Sequence, residues 1–578
     1  MDTSTTKKTI LTSLVLVAAS LCFIVTEKHL GAQDEPMPYA PGAFGVWGWD
    51  WLTTGGDAQR SSSVRNDRWI SRAAVASPGP RLIYKISLPN TSRQMNALSQ
   101  PLLVQTARGL TGFKSMGYVA GSGGTAFGFD FDTSQVIWKT PLGAAPEGAG
   151  TLACPGGLTT SLGRPTPLTI PNVTDTEAGR GVAPGNLPSA RKSGSAIGKP
   201  GQGAPIVDAL ANAAANGGGG AGRGGGFGGS GGRGGGRGGA SGVFALAADG
   251  MLHQLSMQQG FDIVMRPAPF LPPNANASGL IVVDNVAYAA TSNDCAGVPN
   301  GIWALDLASP ARAVTSWKTG GANIAGTAGP AFDANGTLYV ATGEGPGDYA
   351  NSIVTLAPKT LTVSGHYSPG SPFNSSPVAF SDNGRNLVAA SNHDGKLYLL
   401  DGATEAAASA KYTNNTADYA PGALASWADS TGTRWILAPV SGPLATGSGF
   451  NGAVTNGAIV AFKVTSRPDG KPSLTPAWVS RDLVSPVAPV VVNGVVFALS
   501  SGEFHSSNAA LTAQQRAQRS QPAVLYALDA FTGKELWNSG RTITSFSPHS
   551  AGLASAIGQI YVTTWDSTIY AFGFEEKE

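Results

Sequence analysis

Two stretches of this chain repeat one another at fixed spacing, and that repetition limits the folds open to it more than any other feature. In FGFDFDTSQVIW and LYALDAFTGKELW an aspartate (Asp130, Asp529) is followed three residues on by a threonine (Thr133, Thr532) and eight residues on by a tryptophan (Trp138, Trp537). The second copy completes the fullest unit, which begins at VAPVVVNGVVFALSS, Val487 to Ser501, and continues through a long loop. An apolar run, a turn at Asn493-Gly494, a second run, a third ending at Asp529, a tight Thr532-Gly533 turn and a fourth run carrying Trp537 read as four short antiparallel strands.

Looser copies occur at LHQLSMQQG from Leu252, IWALDLASPARAVTSW from Ile302, IVTLAPKTL from Ile353, LYLLDGATE from Leu397, IVAFKV from Ile459 running on to Trp478, and IYVTTWDSTIYAF from Ile560 to Phe572. A unit of this size cannot bury its own faces, so repeats must stack. The expectation is an all-β chain, an eight-bladed β-propeller of four-stranded antiparallel blades over 80–574. The last copy ends before a fourth strand, while RLIYKISLP, Arg81 to Pro89, precedes any blade of its own. That N-terminal strand is expected to complete the last blade and close the ring, which leaves no open sheet edge. With 78 Gly and 39 Pro in 578 residues, composition favours many turns over long helices.

Residues 1–32 read as an export signal: Lys7 and Lys8, the apolar run from Ile10 to Val25, and Leu30-Gly31-Ala32 as the cleavage site. Two alternatives stay open, an uncleaved N-terminal anchor and a lipoprotein at Cys22. The run is short for a bilayer span of roughly 20 residues, and Leu21 is bulky for lipoprotein cleavage. A periplasmic or secreted protein with no stable membrane span after cleavage is expected. Residues 33–79 form a lead-in to the propeller. A long insertion at 144–202 follows the first blade, and the glycine-rich stretch at 209–240 is expected to be a disordered loop between the first two strands of the second blade. The formal net charge of +2 offers no footprint for nucleic acid.

Topology sorts the loops. In a four-stranded meander the turns after strands two and four emerge on one face, where functional residues gather at the channel mouth. Cys154 and Cys295, the two cysteines left by signal removal, fall on that face in adjacent blades, so a disulfide between them in an oxidising compartment is compatible with the topology, two free thiols being the alternative. Asp294, Asp348, His393 with Asp394, Glu503 with His505, and Asp566 beside Trp565 fall there too. Asp394-Gly395 is first of all a hairpin turn. Trp138, Trp317, Trp478 and Trp537 are assigned to architecture, filling gaps between blades.

The repeats, together with DWLTTGGDAQRSSS (Asp50 to Ser63), resemble the pyrroloquinoline quinone (PQQ) repeat family, which includes quinoprotein alcohol dehydrogenases and non-catalytic propellers such as the outer-membrane assembly lipoprotein. LYVATGEGPGDYANSIVTLAPKTL, Leu338 to Leu361, is similar to the dehydrogenase stretch whose Thr-Gly-Asn supplies a calcium ligand. The resemblance implies PQQ and Ca²⁺ as cofactors, with Glu344 as the metal ligand and Asp394, Asp566 and Trp565 as cofactor-binding candidates; a solvated loop glutamate is the competing account of Glu344. Two departures stand against catalysis. Phe373-Asn374-Ser375-Ser376 occupies the place of a Trp-Asp segment whose aspartate acts as base, and an amide cannot take that proton. The family's adjacent cysteine pair is absent. The sequence therefore favours an exported, non-catalytic propeller that binds an envelope protein or a small-molecule ligand at its loop-rich face. A divergent PQQ- and Ca²⁺-dependent alcohol or aldose dehydrogenase is the alternative, and a hydrolase or lyase on the same scaffold is a third reading.

Overall fold

The computed structural model describes residues 50–574 apart from 65–66, 68, 110–111, 144–149, 169–241, 403–405, 413–420, 446 and 448. The expected export signal, the glycine-rich loop and most of the 144–202 insertion lie outside the described residues. The described chain forms eight antiparallel blades: 102–141, 243–269, 277–318, 331–367, 378–411, 425–479, 490–538 and 553–573, numbered 1 to 8 below. Helix among the described residues is confined to α1 (Arg72–Ala76), a 3-10 turn at Cys295–Gly297, and α2 (Ala513–Arg519). None of these helices is long and apolar enough to cross a membrane.

Arg81–Ser87 pairs antiparallel with Thr568–Gly573 and closes the ring in blade 8, as the orphan strand requires. In blade 2 the innermost position belongs to Gly163, bridged to Phe244. Residues 150–168 are thus no excursion from the propeller, as the 144–202 boundary implies, but part of its wall.

The repeated residues serve the blade twice over. Asp529 accepts from the backbone N–H groups of Phe531 and Thr532 and from the Thr532 hydroxyl, at 2.9, 2.9 and 3.0 Å, and Asp130 accepts from Asp132 and Thr133. Each aspartate thereby closes the turn into the fourth strand. The tryptophan on that strand then docks on the next blade. Trp138 donates Nε1–H to the Met257 carbonyl and lies against Gly260, where a Cβ would sit 2.4 Å from the indole. Trp478 donates to the Ala530 carbonyl and lies against Gly533, also at 2.4 Å from a notional Cβ, and Trp537 meets Gly79 just after α1. Trp317 packs edge-on to Tyr349. Each indole removes roughly 200 Å² from water, worth at most about 5 kcal/mol. Because both faces of a blade are covered, inner strands such as Val286–Thr291 and Val495–Ser500 are buried at every position and read as unbroken apolar runs.

The lead-in segment runs inside the ring. Trp51 bridges Leu103 of blade 1, the Leu52 carbonyl accepts from Arg164 beside blade 2, and Thr53 donates to Leu280 of blade 3. The carbonyls of Ala58, Gln59, Ser61 and Ser62 then accept from Phe332, Ala379, Ser426 and Val491, in blades 4, 5, 6 and 7. Asp67 ends the circuit at Gly558 of blade 8. Fixing this belt is Arg60, 1% exposed and at φ 60°, which donates to the carbonyls of Pro330, Thr54 and Gly279 and to Thr53 Oγ1 at 2.6–2.9 Å. Burial pushes its guanidinium down to about 9 against the pull of the Asp57 charge. Ala58, Arg60, Ser61 and Ser62 are all buried, so the belt stoppers the channel.

Candidate functional site at the channel mouth

Above the belt, the mouth of the channel holds a cavity of about 370 Å³. Its wall comes from the segments that lead into the first strands of blades 1 to 4, from the loops after the second strands of blades 1, 3 and 7, and from the connection between blades 7 and 8. Neutral polar side chains and backbone dominate, and Thr54 of the belt lines it, 2.5 Å from the Ser161 hydroxyl. The Cys154–Cys295 disulfide, with Cα atoms 5.6 Å apart, ties the blade 1–2 connection to a mouth loop of blade 3. Beside it Asn293 donates to the Ala153 carbonyl at 2.8 Å.

Glu503, His505 and His549 meet in this wall. Glu503 is 3% exposed, and both of its carboxylate oxygens lie within 3.1 Å of His549 Nδ1. One of them also accepts from the His549 backbone N–H at 2.6 Å, and His505 Nε2 stands 3.8 Å away. The two imidazoles are 5.7 Å apart at an interplanar angle of 63°. Burial alone would raise the Glu503 carboxyl, but the His549 charge and hydrogen bonds, with His505 behind them, hold it below the usual carboxylate range. Reciprocally, the Glu503 charge raises the His549 imidazole.

The loop that carries Glu503 and His505 is held from behind. Ser501 Oγ accepts from the Glu503 N–H, Ser485 donates to its carbonyl, and Ser520 accepts from Phe504. Arg516 of α2 spends its donors on the carbonyls of Leu511, Ser506 and Asn508, and a capping box between Thr512 and Gln515 fixes the start of that helix. On the other strand of the wall, Ser547 N–H bonds the Ser501 carbonyl at 2.9 Å and so joins the two loops.

The candidates drawn from the sequence divide sharply. Glu503 and His505 are brought together, and His549, which sequence reasoning did not select, completes the group. Its only signal is position, since Ser-Pro-His-Ser lies in the connection between the last two blades, on the mouth face. Glu344 is exposed, its carbonyl accepting from Asn323, and does not line the cavity. Asp348, Asp294 and Asp566 are likewise exposed, and Asp566 accepts from Thr564. His393 and Asp394 occupy a tight turn closed by Gly395 N–H on the Asn392 carbonyl. Trp565 stacks on Phe546 at 5.5 Å. Asn374 accepts from Ser391, and the Ser376 hydroxyl is shared between Ala328 N–H and the Ala325 carbonyl, so this segment is spent on structure.

No family model matches the chain, and neither does any curated protein sequence. Solved structures do. Quinohemoprotein alcohol dehydrogenase from Comamonas testosteroni superposes with a TM-score of 0.51 at 15% identity, over 93% of this chain and 82% of that one. A europium-containing methanol dehydrogenase gives 0.51 at 11%, over 91% and 98%. BamB from Moraxella catarrhalis gives 0.41 at 11%, over 86% and 99%. What the two dehydrogenases share with this chain at such identities is the propeller fold.

Proposed function

We propose that this is an exported propeller that binds a small polar ligand in the blind cup at its channel mouth and does not oxidise through a quinone. The observation that carries the reading is the belt of residues 50–64, which turns a through-channel into a one-ended cavity at the small end of the usual range for ligand pockets, roughly 300–1,000 Å³.

The residues present do not fit PQQ and calcium. A tricarboxylate quinone calls for cationic donors, whereas the Arg516 guanidinium is committed to three loop carbonyls and His549 is already paired with the Glu503 carboxylate. Calcium takes six to eight oxygen donors, whereas two of the three clustered ligands here are imidazoles. Glu344, Asp394 and Asp566 do not line the cup.

A thermal-shift screen of small sugars, amino acids and carboxylates tests the reading, with Ser278→Tyr as the variant that fills the cup. Ligands should stabilise the wild type and not the variant, while near-ultraviolet circular dichroism stays unchanged. Equal stabilisation of both, or saturable calcium-dependent binding of PQQ in calorimetry, would overturn it.

A further inference from the structure

Two imidazoles and a carboxylate that converge in the wall of a solvent-reached cavity are more than an ion pair requires. A structural Glu–His pair needs one imidazole and gains from being sealed; here Glu503 has two histidines within 3.8 Å, and His549 keeps 41% of its side chain exposed. The donor atoms of all three residues lie within 4.8 Å of one another. Around a tetrahedral ion with bonds of about 2.05 Å, donors sit roughly 3.3 Å apart. The Glu503–His549 separation of 3.0 Å and the Glu503–His505 separation of 3.8 Å bracket that value.

We infer that Glu503, His505 and His549 form a binding site for one divalent transition-metal ion, zinc-like in its preference, with an open coordination position facing the cup. The inference rests on the cup being the binding site and deepens it by supplying the point to which a ligand's oxygen or nitrogen attaches. Nitrogen donors select against Ca²⁺ and Mg²⁺, which prefer all-oxygen shells, and suit zinc and its first-row neighbours. Three protein ligands leave the fourth position for water or ligand, the arrangement of an open rather than a structural site. The backing of the Glu503 loop by Ser485, Ser501, Ser520 and Arg516 is what such a site needs, since ligands held by outer hydrogen bonds bind without reorganising. When the ion binds, the proton shared between Glu503 and His549 leaves to solvent and both ligand atoms turn to the metal.

The test is calorimetric titration of Zn²⁺ and Co²⁺ into full-length protein stripped with EDTA, with Ca²⁺ as a comparison. Close to one equivalent of Zn²⁺ or Co²⁺ should bind, and no saturable Ca²⁺ heat should appear. Glu503→Gln and His549→Ala should each weaken binding by about tenfold or more, while His253→Ala, at a histidine paired with Asp262 elsewhere on blade 2, should leave it unchanged. The wild type carries its own check that needs no variant: bound Co²⁺ should give the visible absorption of a low-coordinate site, and Zn²⁺ should displace it. A folded wild type that binds neither ion, or binding unaltered in the Glu503 and His549 variants, would sink the metal site. Because the ion is read directly, that result can coexist with ligand stabilisation in EDTA, which would leave the cup standing.

Discussion

Arg60→Met should destabilise the propeller by about 4 kcal/mol, and the figure follows from two opposing quantities. The guanidinium makes four hydrogen bonds, three to backbone carbonyls of the belt and of blades 3 and 4. Bonds to a charged donor are worth roughly 1.5–3 kcal/mol each, on the order of 6–12 kcal/mol together. Against this stands the cost of burying the charge. The drop from 12.5 to about 9, which already includes the offsetting attraction of Asp57, at about 1.4 kcal/mol per unit, sets the net cost near 5 kcal/mol. Methionine fills similar volume and removes the cost, but it abandons the carbonyls, so the loss wins by about 1–7 kcal/mol. At about 2.1 cal/mol/K per residue, a folded body of roughly 400 residues unfolds with an entropy on the order of 0.8 kcal/mol/K, so the Tm should fall by about 5 °C. Differential scanning calorimetry at one fixed scan rate is the assay, because large chains unfold irreversibly and only matched scans compare. Arg60→Lys keeps the charge without the fork and should fall between. A methionine variant within a degree of wild type would refute the claim that this side chain pins the belt.

Two further outcomes follow from residues outside the belt. Replacing both Cys154 and Cys295 by serine opens a loop of 141 residues, for which chain entropy gives about 5 kcal/mol and a Tm lower by up to about 5 °C; an unchanged Tm under non-reducing conditions would show that the bridge does not constrain the unfolded chain. Asp482 accepts from the backbone N–H groups of Thr455, Asn456 and Gly457, and although burial alone would raise its carboxyl, these bonds and that of the Asn456 side chain carry it below 3.8. A depressed acid stabilises above its unfolded value and loses that contribution as pH falls through the folded one. Asp482→Asn should therefore melt below wild type at pH 5–8, with the gap closing below about pH 3.8; a gap independent of pH would refute the linkage.

The propeller was legible because its signals are local. Asp130 and Trp138 lie eight residues apart, and the same spacing at Asp529 and Trp537 records both the turn that the aspartate closes and the gap that the indole fills. The closing strand could be read from the missing fourth strand of blade 8. The belt carried no such signal: Thr53 to Ser63 is short, polar and glycine-bearing, and its burial depends on carbonyls that meet inner strands hundreds of residues away. The site was half legible for the same reason. Glu503 and His505 share one loop whose face follows from topology, whereas His549 joins them only because blades 7 and 8 are neighbours around the ring. Glu344 was drawn from a local motif, and a motif says nothing of whether a loop bends inward.

Where the chain spends residues on the mouth face also points to blade 7. Every blade presents the turn after its second strand to the channel mouth, so any blade can carry the function there, and a turn that merely reverses two strands needs few residues. In blade 5 the second strand ends at Ser391 and the third begins at Lys396, a tight turn. In blade 7 the corresponding strands end at Ser500 and begin at Val524, and the intervening loop contains its own capped helix, a buried arginine that clamps three carbonyls, and two of the three clustered ligands. Ordering that much extra backbone costs on the order of 1 kcal/mol or more per residue and adds nothing to closing a hairpin. Its internal hydrogen bonds converge on holding Glu503 and Phe504 at the cavity wall, which is the cost a chain bears for a preorganised site and not for a turn.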